Sequence, residues 1–322
     1  MNGRLPAEPD RPVVEPMLSA AYSGATLFAI LLDQHSRVTC NGETFPVERG
    51  DRVECSCGRR QIDCEYYRAV AGHMLEEGGQ GWNDELFAQV PRYTRLRPLD
   101  RALGGFWLHD AGNRLRERAR AAVSRWRRRD AAFVEAHRRF FANSLRANGT
   151  EVYVDGSKAP HRAEILAASG AFDLKALHLI RDGRAFSYSY LKNQKRPRSD
   201  LGRAAGYWNR HLAKVDSFHS RFPNVPLMHV RYEDLCTDLG GTLGRVWEFL
   251  GVPYEQGMVT PGPAPYHITG NRMRKSFDGI VRLDRKWERE LDSGELERLT
   301  KEMYDGLSRF DYLAASTAAV SA

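Results

Sequence analysis

Residues Ser23-Gly24-Ala25-Thr26 form the first arrangement in this chain that could do chemistry. A glycine lets the backbone approach an anion closely. Small hydroxyl side chains add donors, and a helix that begins just after the loop aims its N-terminal amides at the same point. The second arrangement is Ile180-Arg181-Asp182-Gly183-Arg184-Ala185-Phe186-Ser187-Tyr188-Ser189. Here Arg181 closes an apolar run, and Ser189 falls two turns into the segment that follows. An arginine fork and a hydroxyl can clamp a phosphate. Two separate phosphate sites suit a nucleotide phosphorylated at both ends of its ribose. The chain contains no Gly-Lys-Ser/Thr phosphate loop, which argues against an ATP-type kinase. It contains no Gly-x-Gly-x-x-Gly either, which argues against a dinucleotide dehydrogenase.

These residues need a frame that presents turns at the ends of strands. The apolar run over 17–21 reads as a strand, and 27–32 reads as the helix after the first loop. Residues 40–65 are punctuated by Gly, Pro, Asn and Cys and read as loops. Residues 82–148 are helical in flavour and carry a basic stretch over 114–129, which reads as a solvated helix face. Residues 151–154 read as a strand and 155–158 as a turn, with a helix over 161–168. A strand over 176–180 leads into a helix reaching 191, followed by a helix over 203–221 and a strand over 226–230. In 242–250, Leu243, Val246, Trp247 and Leu250 share one helical face, and Gly251 stands where a helix stops. A last helix is expected over 293–307. Strands alternating with helices predict an α/β fold, a P-loop-like, doubly wound, mostly parallel sheet flanked by helices, with a largely helical insertion at about 66–148. Ligands in such sheets bind beyond the carboxyl ends of the strands. One domain is expected over 16–313, between a loose N-terminus at 1–15 and a loose tail at 314–322.

Composition narrows the partners. The chain has 322 residues, 42% of them hydrophobic, and a net charge of +7. It should bury a sizeable core and favour an anionic ligand. Nothing like a nucleic-acid-binding motif accompanies the basic stretch, so no nucleic acid is expected. No apolar stretch is long enough to span a membrane and the first residues lack a signal-peptide core, so the expected location is cytoplasmic. Five cysteines are present, three of them as Cys55-Ser56-Cys57-Gly58 followed by Cys64. A zinc site there would need a fourth ligand from Cys40 or a histidine, and the spacing is not a standard one, so a structural role without metal is expected.

Taken together, the segments resemble the sulfotransferase superfamily that uses 3′-phosphoadenosine-5′-phosphosulfate (PAPS). Tyr22-Ser23-Gly24-Ala25-Thr26-Leu27, with Leu31, Leu32 and His35 downstream, resembles that family's 5′-phosphosulfate loop. Arg181 and Ser189 stand at the eight-residue offset of its 3′-phosphate motif. Val230-Arg231-Tyr232-Glu233-Asp234-Leu235, running to Phe249-Leu250-Gly251, resembles its third block. Cys40-Asn41-Gly42-Glu43-Thr44 is similar to a stretch of tyrosylprotein sulfotransferases. The cysteine block and His267-Ile268-Thr269-Gly270-Asn271-Arg272-Met273-Arg274 resemble uncharacterised bacterial sulfotransferases, and a bacterial enzyme is expected.

The resemblance implies PAPS as co-substrate and PAP as product, with no metal required. It implies Glu43 as the base that takes the acceptor's proton and Lys158 as a cation facing the donor phosphate. Tyr22 departs from the family, which usually has Arg or Lys there, so Lys158 is expected to supply the missing charge. Tyr22, Ser23, Gly24, Ala25, Thr26, Leu27, Arg181, Ser189, Tyr232, Gly270, Asn271 and Arg274 are expected to bind the nucleotide. His35 is expected to be structural, and His267 is an alternative base. The acceptor is expected to be a small molecule or glycan, bound by variable segments at 66–148 and 195–205. A homodimer is left open. Two other readings share parts of this pattern: a small-molecule kinase with a degenerate phosphate loop, and a non-catalytic basic binding protein.

Overall fold

The computed structural model describes residues 12–43, 53–77, 124–255 and 266–313, with isolated positions between 112 and 122. Its centre is a sheet of order β2-β3-β1-β5-β6, with β4 also paired to β1. The strands are β1 (Val13–Ser19), β2 (Val38–Cys40), β3 (Val152–Lys158), β4 (Asp173–Leu174), β5 (Ala176–Ile180) and β6 (Leu227–Arg231). Every pairing among them is parallel. Parallel strands are buried on both faces, which is why these segments read as short apolar runs.

Neighbouring side chains on one strand serve opposite layers. In β3, Val152 and Val154 join one core with Leu27, Phe28, Leu31 and Trp247, while Tyr153 joins another with Tyr67, Phe140 and Phe141. The first layer is built on α1 (Ala25–Leu32); the second on α2 (Glu65–Glu76) and α3 (Ser124–Asn148). Further along come α4 (Pro160–Ser169), α5 (Gly183–Gln194), α6 (Leu201–Arg221), α7 (Tyr232–Thr237) and α8 (Leu239–Leu250). Four short helices finish the described chain: α9 (Met273–Ser276), α10 (Trp287–Glu290), α11 (Ser293–Glu302) and α12 (Tyr304–Arg309). Among the described residues no helix is long and apolar enough to cross a membrane.

The chain lays β1, β2 and β3 on one side and then β5 and β6 on the other, so the order reverses between β1 and β5. That reversal opens the crevice in which doubly wound sheets bind ligands. The loop after β1 and Arg181 after β5 flank it.

Several elements differ from the sequence expectation. β1 takes in Val13 and Glu15, which fall in the stretch expected to be a loose N-terminus, because Val14 is fully buried there. Residues 155–158 are not a turn: β3 runs on through Lys158, with a register irregularity opposite Pro16 and Leu18. β2 was missed, being only three residues long and buried. The expected last helix is two helices, broken at Met303, whose φ of −118° interrupts the spiral. Much of the expected helical insertion, including Trp82, Phe106 and Trp107, lies outside the described residues. Tyr66 and Tyr67, at the start of that segment, belong to the core.

Candidate active site

The phosphate-type loop leaves the end of β1 in an unusual backbone state. Tyr22 has φ of 66° and Gly24 of 91°, both left-handed. Only glycine adopts that region at little cost. A Cβ on Gly24 would also lie 2.4 Å from the Tyr232 ring. Gly24 is the N-cap of α1 and no side chain caps it, so the first amides of α1 are not taken by a capping side chain. Ser23, Ala25, Thr26 and Leu27 are all buried, which fixes the turn.

Arg181 follows β5 and is 6% exposed; Ser189 on α5 is 7% exposed. Arg181 Nη1 donates to Ser189 Oγ at 3.2 Å and to the Tyr22 carbonyl at 3.2 Å. Its Nη2 donates to the Asp284 carbonyl at 3.2 Å, and its guanidinium lies 4.8 Å from the Tyr232 ring centroid. Arg181 Nε has no hydrogen-bond partner among the described residues. Asp182 orients the turn: it accepts from Arg184 N at 2.8 Å and so caps α5, while its own amide donates to Glu233 at 3.1 Å.

Glu43, three residues beyond the end of β2, and Lys158, the last residue of the neighbouring β3, meet as an ion pair in which Lys158 Nζ donates to Glu43 Oε1. Lys158 has φ of 62°, a strained state for a residue with a Cβ. Strain of this kind is characteristic of functional positions, and here it recurs at Tyr22 and Lys158. The backbone beneath the pair is crowded. A Cβ on Gly156 would fall 2.6 Å from the Gly42 carbonyl, so β3 can pass there only without a side chain.

The segment 266–274 closes over these strand ends. Thr269 N donates to the Asn41 carbonyl at 2.9 Å, and Glu43 N donates to the Thr269 carbonyl at 3.1 Å. A Cβ on Gly270 would meet Thr26 Oγ1 at 3.1 Å, placing this segment against the phosphate-type loop. Arg274 spans back to the Glu54 carbonyl through Nε at 3.1 Å and Nη2 at 2.8 Å.

A cavity of about 1300 Å³ lies in the crevice and is lined by Tyr22, Gly24, Leu27, Arg181, Ser189, Tyr232, Gly270, Asn271 and Arg274. These nine expected residues therefore share one space, of a size that takes a nucleotide. Ser23, Ala25 and Thr26 back the loop rather than line the cavity, and Glu43 and Lys158 are not part of its lining. The sequence reading missed Lys192, Lys195, Arg272, Arg282, Arg285 and Lys286, which also line it. Lys192 was within reach of a helical-face argument, since it is three residues beyond Ser189 on α5. The others come from loops and short helices without periodicity to reveal them.

The two singled-out histidines go to different places. His35 is buried, with Nε2 donating to the Pro253 carbonyl at 2.8 Å and its ring 4.7 Å from Trp247, the structural role expected for it. His267 presents Nδ1 to Cys64 Sγ at 3.1 Å and stacks on Tyr66 with ring centroids 5.2 Å apart.

The family is shown by the amino-acid sequence. The chain belongs to the sulfotransferase family, whose sequence model matches residues 17–256. The sulfotransferase domain from the curacin biosynthetic pathway is similar in structure, with a TM-score of 0.50 and 17% identity, over 91% of this chain and 98% of that one. The sulfotransferase domain of the Synechococcus PCC 7002 olefin synthase follows at a TM-score of 0.48 and 16% identity, over 95% of this chain and 98% of that one. Retinol dehydratase in complex with androsterone and inactive cofactor PAP gives a TM-score of 0.41 at 15% identity, over 93% of this chain and 82% of that one. No curated protein sequence matches the chain.

Proposed function

We propose that the chain transfers a sulfuryl group from PAPS to a hydroxyl or amine of a small-molecule or glycan acceptor. The observation that carries this reading is the single basic cavity that holds Tyr22 and Gly24 of the first loop together with the Arg181–Ser189 pair. A nucleotide with phosphates at both its 5′ and 3′ ends matches both. The loop and the open start of α1 receive the 5′ end; Arg181 and Ser189 receive the 3′-phosphate. Tyr232, Gly270, Asn271 and Arg274 enclose the space between.

The transfer is an in-line displacement. Glu43 takes the proton from the acceptor oxygen or nitrogen as that atom bonds to sulfur. The bond between sulfur and the 5′-phosphate oxygen breaks, and that oxygen keeps the electron pair. Lys158, the loop amides and the hydroxyls of Ser23 and Thr26 offset the charge gathering there. Tyr22 contributes no positive charge, and its hydroxyl is engaged instead by Gln194. In this reading Lys158, paired with Glu43 at the strand ends, supplies the charge that Tyr22 does not.

The test is ligand-dependent thermal stability followed by turnover. PAP should stabilise the protein, adenosine 5′-phosphosulfate should do so less for want of a 3′-phosphate, and ATP with Mg²⁺ should not. Isotope-labelled PAPS incubated with an acceptor library should give a labelled product by mass spectrometry. Stabilisation by ATP and none by PAP would instead indicate a kinase with a degenerate loop.

A further inference from the structure

Cys55, Cys57, Cys64 and His267 converge although 203 residues separate the last two. Their ligand atoms all lie within 4.8 Å of one another. Cys64 Sγ is 3.7 Å from Cys55 Sγ and 3.7 Å from Cys57 Sγ. His267 Nδ1 is 3.6 Å from Cys55 Sγ and 3.1 Å from Cys64 Sγ. A tetrahedral zinc ion, about 2.3 Å from each sulfur and about 2.0 Å from an imidazole nitrogen, holds sulfurs about 3.8 Å apart and sulfur and nitrogen about 3.5 Å apart. Three of these separations are within about 0.1 Å of that geometry.

We propose that Cys55, Cys57, Cys64 and His267 form a structural zinc site that fastens the cysteine loop to the segment carrying Gly270 and Arg274. The donor set is three thiols and one imidazole, a combination found in closed, four-coordinate zinc sites. A disulfide accounts for it less well. Cys64 is equally far from two thiols, so either bridge would leave one cysteine and the imidazole unused. Cys40, the other cysteine considered from sequence, lies in β2 and is not among the ligand atoms that converge here.

The backbone is shaped to present these ligands. Cys55 N donates to the Arg59 carbonyl at 2.8 Å and Gly58 N to the Cys55 carbonyl at 3.0 Å, closing a tight reversal. Gly58 has φ of 85° at that reversal. A short 3₁₀ turn, Gln61–Asp63, then brings Cys64 back to the start of α2. On the other side, Ser56 N donates to the Ile268 carbonyl at 3.0 Å, and the His267 carbonyl accepts from Tyr67 at 3.1 Å. Three thiolates, a neutral imidazole and Zn²⁺ leave one net negative charge, and Arg274, bonded to the Glu54 carbonyl next to Cys55, is a cation close to it. All four positions are taken by protein, so the ion would hold structure and take no part in the transfer. This proposal departs from the expectation of no metal, with His267 as the histidine that a fourth position would need.

The experiment uses the full chain purified without added metal under reducing conditions, with zinc counted by mass spectrometry. About one zinc per chain is expected. Cys57→Ser and His267→Ala should each lower that to a small fraction. In the wild-type protein, cobalt exchange should give the visible bands of tetrahedral thiolate coordination. Chelation should lower Tm and speed amide exchange in 53–64 and 266–274, and zinc should restore both. These wild-type measurements serve even if the variants fail to fold. Zinc well below stoichiometric with all thiols reduced, no cobalt spectrum, or a chain lighter by two hydrogens through a disulfide would each overturn the proposal. PAP binding is separate: a zinc-replete chain that ignores PAP would defeat the sulfotransferase reading and leave the metal site standing.

Discussion

Glu43 and Lys158 are the residues on which turnover should depend most. Their side chains already touch, across two strands. Glu43→Gln removes the proton acceptor but keeps size and hydrogen-bonding capacity. Turnover should fall by about 10²-fold or more while PAP affinity stays close to wild type. Near-normal turnover would defeat the base assignment. Arg181 should behave differently. Its planar fork reaches the Ser189 hydroxyl and two carbonyls from two separate nitrogens, a spread that a lysine's compact ammonium does not reproduce. Arg181→Lys should weaken PAP binding by about 10-fold or more, measured by calorimetry, with a smaller effect on turnover at saturating donor. Both residues were legible in the sequence because a motif surrounded each. The Glu43–Lys158 contact was not, since 115 residues separate the partners and nothing local ties them.

At the scale of elements, the carboxyl ends of the strands do the positioning. The loop after β1 brings Tyr22 and Gly24, β2 is followed by Glu43, β3 ends on Lys158, β5 leads to Arg181 and β6 to Tyr232. The loop before α1 is the one of these connections whose glycine is held left-handed against Tyr232. Gly24→Ala should add about 1–2 kcal/mol of backbone strain and drive a methyl into Tyr232. We expect a lower Tm and a larger loss of PAP affinity, both read from one ligand titration monitored by thermal unfolding. Unchanged PAP affinity would show that the loop does not form the 5′ site. The strands and long helices were readable because burial on two faces, or on one helical stripe, leaves a periodic trace. β2 left none at three residues, and Arg272, Arg282, Arg285 and Lys286 of the cavity lie in irregular backbone. The fourth cysteine-cluster ligand was hidden for a related reason: His267 is adjacent to the cysteines only after the chain has folded back on itself.

The molecule as a whole should lose stability as acid reaches its second sheet edge. His178 on β5, His229 on β6 and His211 on α6 cluster there, with His178 Nδ1 and His229 Nδ1 2.8 Å apart. Burial holds His178 well below the usual imidazole value and pushes His211 down to about 3, with Lys214 adding to the effect on His211. The unfolded chain then binds more protons than the folded one. The stability these histidines contribute is present above about pH 6.5 and is lost as pH falls towards their folded values, by up to about 1.4 kcal/mol per pH unit for each buried one. Glu15 and Asp33 act with the opposite sign, because burial raises both, Asp33 to about 7. A comparison with His211→Leu isolates the histidine share: urea unfolding at pH 6 and pH 5 should show a shallower loss in the variant, and equal slopes would rule the cluster out as the acid-sensitive element. The closure of segment 266–274 over the strand ends carries a different consequence. Thr269 bonds to Asn41 across 228 residues, whereas the last strand of the sheet ends at Arg231. A chain emerging from the ribosome therefore has every strand of its sheet before it has the Gly270 side of its pocket. Competence to grip a nucleotide should arrive well after the sheet itself can fold.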